Sequence, residues 1–234
     1  MNKMPIPLKK FSAIAATLFA SVSLSQAVTY SIDSGSAVSS LGDTAAWSAA
    51  GLNHFTAVAS GQIINSISVV FGNPAGGTGL VGGEAFTVVL WSDPNSDGNP
   101  NDAVVLGSAT GTITTFNSPS SAAQTTAITP VALAVGQSFF AGVVYNNYAA
   151  NILPGGVAPS GTPGESWLAY NANTGPININ SLSSSVALGT LGSLVPLAAA
   201  NSLVSMVRAN GVPEPGSAAL ATLAALGLLR RRRA

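Results

Sequence analysis

Across residues 28–211 the chain never sustains the apolar spacing of an amphipathic helix. Its hydrophobic residues come in short alternating runs cut by turn formers. Phe86, Val88 and Leu90 alternate with Thr87, Val89 and Trp91, which predicts a strand with one face buried and the other partly so. Similar runs at 53–59, 62–71, 103–115, 126–135, 138–145, 166–170 and 203–208 are separated by Gly-, Asn-, Pro- and Ser-rich loops such as 72–77. No internal repeat of fixed period accompanies them. About eight to ten strands at this spacing predict an all-β domain, an antiparallel β-sandwich of jelly-roll type, with a barrel as the alternative.

What holds such a domain together follows from composition. There is no cysteine, so disulfides, thiolate nucleophiles and Cys-type zinc sites are excluded and burial must do the work. Of the basic residues, Lys3, Lys9, Lys10 and Arg230 to Arg233 lie at the two ends. Residues 28–211 keep only Arg208, against seven acids: Asp33, Asp43, Glu84, Asp93, Asp97, Asp102 and Glu165. An acidic domain is a poor partner for nucleic acid, which needs a basic face. Cations suit it better.

The two ends have their own character. Residues 1–27 carry a lysine-bearing start, an apolar stretch from Phe11 to Leu24, and Ser25-Gln26-Ala27. That order is the signature of a secretory signal peptide, cut by signal peptidase between Ala27 and Val28. At the other end, Val212-Pro213-Glu214-Pro215 is held extended by its two prolines. Ser217 to Leu229 is uncharged and rich in Ala and Leu, and Arg230, Arg231, Arg232 and Arg233 follow. The stretch is shorter than the usual span of about 20 residues. Arginines packed against its end nevertheless favour a membrane helix retained by cytoplasmic positive charge.

In order and content, 212–234 resembles a PEP-CTERM sorting signal: a Pro-Glu-Pro motif (Pro213, Glu214, Pro215), a short transmembrane helix and an Arg-rich terminus. The resemblance implies an exported bacterial protein whose tail is recognised by an exosortase-type enzyme. Such a protein is held briefly in the inner membrane, with its helix in lipid, and ends at the cell surface or outside. It also implies association with envelope or exopolysaccharide. The strand–loop–strand pattern at 86–102 and 133–145 loosely resembles sandwich modules of such proteins. Three segments are therefore expected: signal peptide 1–27, sandwich 28–211 and sorting segment 212–234.

Four sets of residues invite a chemical role. Asp93, Asn95 and Asp97 alternate and are followed by Gly98, Asn99 and Asp102. That is the opening of a calcium loop, in which alternate oxygens converge on a hard cation and glycine allows the turn. Val104 stands where the bidentate Glu would be, the flanks are strands, and Asn, Asp, Gly and Pro are also what an ordinary hairpin loop uses. Both readings stand. His54 is the only histidine; Asp33 or Asp43 could orient it, but no Gly-x-Ser-x-Gly elbow is present, and a half-exposed ring on a strand is expected. Glu84, Glu165 and the Asp93 loop could supply paired carboxylates. Trp91 and Trp167 could stack on sugar rings, or anchor the core or an edge instead. The expected function is a non-enzymatic surface or matrix protein associated with polysaccharide. The alternative is an exported carbohydrate-active hydrolase working through two carboxylates.

Overall fold

The computed structural model describes residues 27–159, 162, 164–172, 175–191 and 203–213. Within them thirteen strands run in the order β1 (Val28–Tyr30), β2 (Ser39–Leu41), β3 (Trp47–Thr56), β4 (Ile63–Val69), β5 (Ala85–Ser92), β6 (Val104–Thr112), β7 (Gln124–Ala132), β8 (Ser138–Tyr148), β9 (Gly155–Pro159), β10 (Ser166–Ala172), β11 (Ala187–Thr190), β12 (Leu203–Ser205) and β13 (Val207–Val212). All pairings are antiparallel and no barrel closes. The sheets are β1-β13-β4-β7, β11-β10-β3-β8-β5-β6 and the small β12-β9-β2. The chain is all-β, in keeping with a β-sandwich.

Alternation decides where the core sits. Phe86, Val88 and Leu90 of β5 and Phe139, Val143 and Tyr145 of β8 pack with Ile64 and Ile67 of β4 and with Val207 and Ala209 of β13. This cluster joins the two larger sheets. Each fully buried Val, Leu, Ile or Phe among them contributes about 1.5–3 kcal/mol, which a chain without cysteine depends on. The opposite face of the six-stranded sheet is also buried. Leu52, Val89, Trp91, Phe140 and Val144 lie under Ile177 and Leu182 of the segment between β10 and β11.

That second layer corrects one expectation. Trp91 does point away from Phe86, Val88 and Leu90, yet it is fully buried and its Nε1–H donates to Ile179 O at 2.8 Å. It has no face to offer a sugar. Trp167 is partly buried against the same layer.

Strands β3 and β8 are the centre of the molecule, buried on both faces along most of their length. Gly142 is required there. A Cβ on it would stand 2.7 Å from Gly51 O and 2.9 Å from Trp91 Cζ3. Between the sheets, the buried Asn53 donates through Nδ2 to Ser205 O (2.7 Å) and Val207 O (2.9 Å), clamping β3 to the junction of β12 and β13. Arg208 grips Asp33 with two hydrogen bonds, at 2.9 and 2.6 Å.

The first and last described strands pair with each other, Val28 opposite Gly211. Strand β13 stops at Val212, before Pro213, whose missing N–H cannot continue a ladder. Residues 1–26, Glu214, Pro215, the Ser217 to Leu229 stretch and Arg230 to Arg233 lie outside the described residues. Among the described residues no helix is long and apolar enough to cross a membrane.

Two outcomes follow. Gly142→Ala should lower the unfolding free energy by about 1–3 kcal/mol in urea titration, because backbone cannot yield as a side chain can. Burial acts to raise the Asp33 carboxyl, but hydrogen bonds from Arg208 and Ser31, the Arg208 charge and the Gly35 N–H hold it below its ordinary value. Its stabilisation is therefore complete above the unfolded value of about 3.9 and lost as pH falls through the lower folded one. Asp33→Asn should flatten the stability–pH curve over that acidic window.

Candidate functional site

One end of the six-stranded sheet gathers most of the domain's chemistry. The order β10-β3-β8-β5 and its registers place Glu165, His54, Ser138 and Asp93 in a row. Glu165 precedes β10, and its C=O accepts from His54 N at 2.8 Å; Ser138 opens β8, and its C=O accepts from Asp93 N at 3.2 Å. The side chains follow the backbone. His54 Nδ1 lies 2.5 Å from Glu165 Oε2, while its Nε2 lies 2.6 Å from Ser138 Oγ and 3.4 Å from Asp93 Oδ2. The ring also packs on Phe140, with centroids 5.0 Å apart.

The row has the connectivity of a hydroxyl–imidazole–carboxylate relay, though not with the acids expected. Asp33 is held by Arg208, and Asp43 accepts from the Tyr170 hydroxyl. Glu165 takes the orienting position instead, and fixes the proton on Nδ1 when its carboxylate is ionised. Acyl transfer needs a hydroxyl that a carbonyl carbon can reach. Ser138 is only 5% exposed. A hollow of about 440 Å³ beside this row is lined by His54, Glu165, Tyr30, Phe55 and Thr162 among others, and Ser138 is not part of its wall. The His54 side chain is 16% exposed, less than expected. The imidazole joins four strands and closes the sheet end.

Paired carboxylates for sugar hydrolysis need open space between them. Glu165 and Asp93 are bridged by His54 instead, and Glu84 is turned back onto Val81 N.

The Asp93 loop sits directly over this row. Gly98, at φ +72°, comes so close that a Cβ would stand 3.6 Å from His54 Cε1. Asp93 Oδ2 accepts from Gly98 N at 3.0 Å. Asn95 Oδ1 accepts from Asp97 N, Asp97 Oδ1 from Asn99 N, and Asn99 Oδ1 from Asn101 N. This succession of Asx turns coils the loop and ends in the short 3-10 turn Pro100–Asp102. Asp93, Asp97 and Asp102 thereby bring carboxylate oxygens within 4.8 Å of one another. Val104 begins β6 and is exposed, so nothing occupies the twelfth ligand position of an EF-hand.

Sequence spacing pointed to the loop, but not to the row. Glu165 and Ser138 lie 111 and 84 residues from His54, and only strand order makes them neighbours. No protein-family model matches the chain, and no curated protein matches it.

A structural imidazole and a catalytic one respond differently to removal. His54→Ala should cost about 1–3 kcal/mol of stability, since it strips partners from buried polar groups. Turnover of a chromogenic short-chain ester should be the same for wild type, His54→Ala and Ser138→Ala. A drop in turnover of a hundredfold or more in Ser138→Ala would establish the relay instead.

Proposed function

We propose that the chain is an exported, non-enzymatic cell-surface or matrix protein, a β-sandwich delivered by its PEP-CTERM-like tail and associated with exopolysaccharide or envelope. The observation that carries this is the meeting of the domain's ends. Strand β1 starts at Val28, directly after the expected cleavage at Ala27, and pairs with β13, which ends at Val212 beside Pro213. A folded unit bounded this closely by two processing segments suits a signal peptidase cut on one side and an exosortase-type enzyme on the other. Four connections, β3 to β4, β4 to β5, β6 to β7 and β7 to β8, cross between the larger sheets, with the β5–β6 hairpin between them. They support a jelly-roll-like description of the sandwich.

On this reading Pro213 ends the ladder, and Glu214 and Pro215 are presented to the sorting enzyme. The uncharged helix lies in lipid, and Arg230 to Arg233 hold it on the cytoplasmic side. The exposed Thr125, Ala127 and Thr129 of β7 and Ser108, Thr110 and Thr112 of β6 give a surface without charge. Such a surface suits hydrogen bonding to neutral polysaccharide. Trp91 takes no part, and Trp167 offers at most an edge.

Fractionation of the producing cell tests the reading. Wild-type protein should begin at Val28 and be found at the surface or in the medium, whereas Glu214→Ala should accumulate in the inner membrane. Unchanged localisation of the variant refutes the sorting half. Failure of the wild type to co-sediment with the cell's own polysaccharide refutes the binding half.

A further inference from the structure

We propose that the Asp93–Asp102 loop binds one divalent cation of calcium size, held by carboxylate oxygens of Asp93, Asp97 and Asp102. The cation would lock the loop onto the end of the six-stranded sheet. Two independent observations carry this. The first is the convergence of three carboxylates within 4.8 Å. Oxygens that share a calcium ion at about 2.3–2.6 Å are at most about 5 Å apart, so the spacing fits a common ion. The second is the state of Asp93. It is 3% exposed with its side chain wholly shielded, and its Oδ1 has no hydrogen-bond partner, while Oδ2 is already used by Gly98 N and faces His54.

A buried carboxylate oxygen without a partner is costly. Here it belongs to a residue that contributes an oxygen to the acidic cluster, where a cation would satisfy it. Among the described residues the only basic side chains are His54 and Arg208. One imidazole faces both Asp93 and Glu165, and Arg208 is engaged by Asp33. Asp97 and Asp102 are exposed, which leaves a way in for the ion and room for water ligands. An all-oxygen donor set of this kind selects a hard cation, and a flexible loop favours calcium over magnesium, which demands a tight octahedron and gives up water reluctantly. The Asx turns hold Asn95, Asp97 and Asn99 in place before any ion arrives, so binding need not fold the loop.

The experiment is calorimetric titration of the chelator-treated full chain with Ca²⁺ and, separately, Mg²⁺, paired with thermal unfolding in each. One site per chain is expected, with a dissociation constant in the range of about 10⁻⁴–10⁻³ M typical of extracellular modules, and a melting temperature that climbs with calcium. Asp97→Asn and Asp102→Asn, both at exposed positions, should weaken calcium binding at least about tenfold while keeping the wild-type circular dichroism. Asp43→Asn, on an acid outside the cluster, should leave it unchanged. Absence of binding heat and of any thermal shift at about 10 mM calcium, some tenfold above that range, overturns the proposal. Equal effects of calcium and magnesium, or unaltered binding in Asp97→Asn, overturn it as well, since they would indicate diffuse screening alone.

Discussion

The pairing of β3 with β8 is the constraint on which everything else rests. These are the longest strands described, and each has apolar residues on both sides of the sheet. One face supplies Phe139, Val143 and Tyr145 to the core between the sheets; the other supplies Leu52, Phe140 and Val144 to a second layer. Two stacked apolar layers do the work that cross-links would otherwise do in a chain without cysteine. The missing side chain of Gly142 leaves the room that the Trp91 ring takes in the second layer. Asn53 supplies the polar clamp that ties β3 to the opposite sheet.

The same ladder assembles the polar end of the molecule. Pairing Thr56 with Ser138 and Asn53 with Ser166 brings His54 alongside Ser138 and the Glu165 that precedes β10. Pairing Ser92 with Phe139 then brings Asp93 to the other side. Four residues from distant parts of the chain become neighbours as a consequence of strand register. A one-residue slip would turn His54 into the inner core. The result resembles a catalytic relay in its connections but encloses its hydroxyl. Position in a network does not make a nucleophile; access does.

Much of the strand pattern was legible because alternation is a local property. β4, β5, β7, β8 and β10 fall where their apolar runs place them. Strand β3 extends back to Trp47 through Ser48-Ala49-Ala50-Gly51, whose small residues give no periodic signal although they are deeply buried. Strands β2, β9 and β11 are three to five residues long, too short for a pattern to register. Trp91 shows the limit from the other side. Alternation correctly put it opposite Phe86, but whether that face meets water depends on where Ile177 and Leu182 travel, a matter of chain path beyond local period. Asp33 and Asp43 were the acids expected to orient His54, but Arg208 and Tyr170 engage them and Glu165 takes the place instead.

The sequence by itself determined that this domain is all-β, that it must be held by burial without disulfides, and that the Asp93-to-Asp102 run coils as an oxygen-rich loop. Those properties reside in residue types and short spacings, which act within one or two turns of chain. Only the tertiary structure decided that Trp91 is core, that Glu165 and Ser138 are the neighbours of His54, and that Asp93 buries an oxygen with no partner beside two other carboxylates. Each of these depends on which strands lie side by side. Long-range burial sets that order, because many weak apolar contacts are satisfied together only in this arrangement.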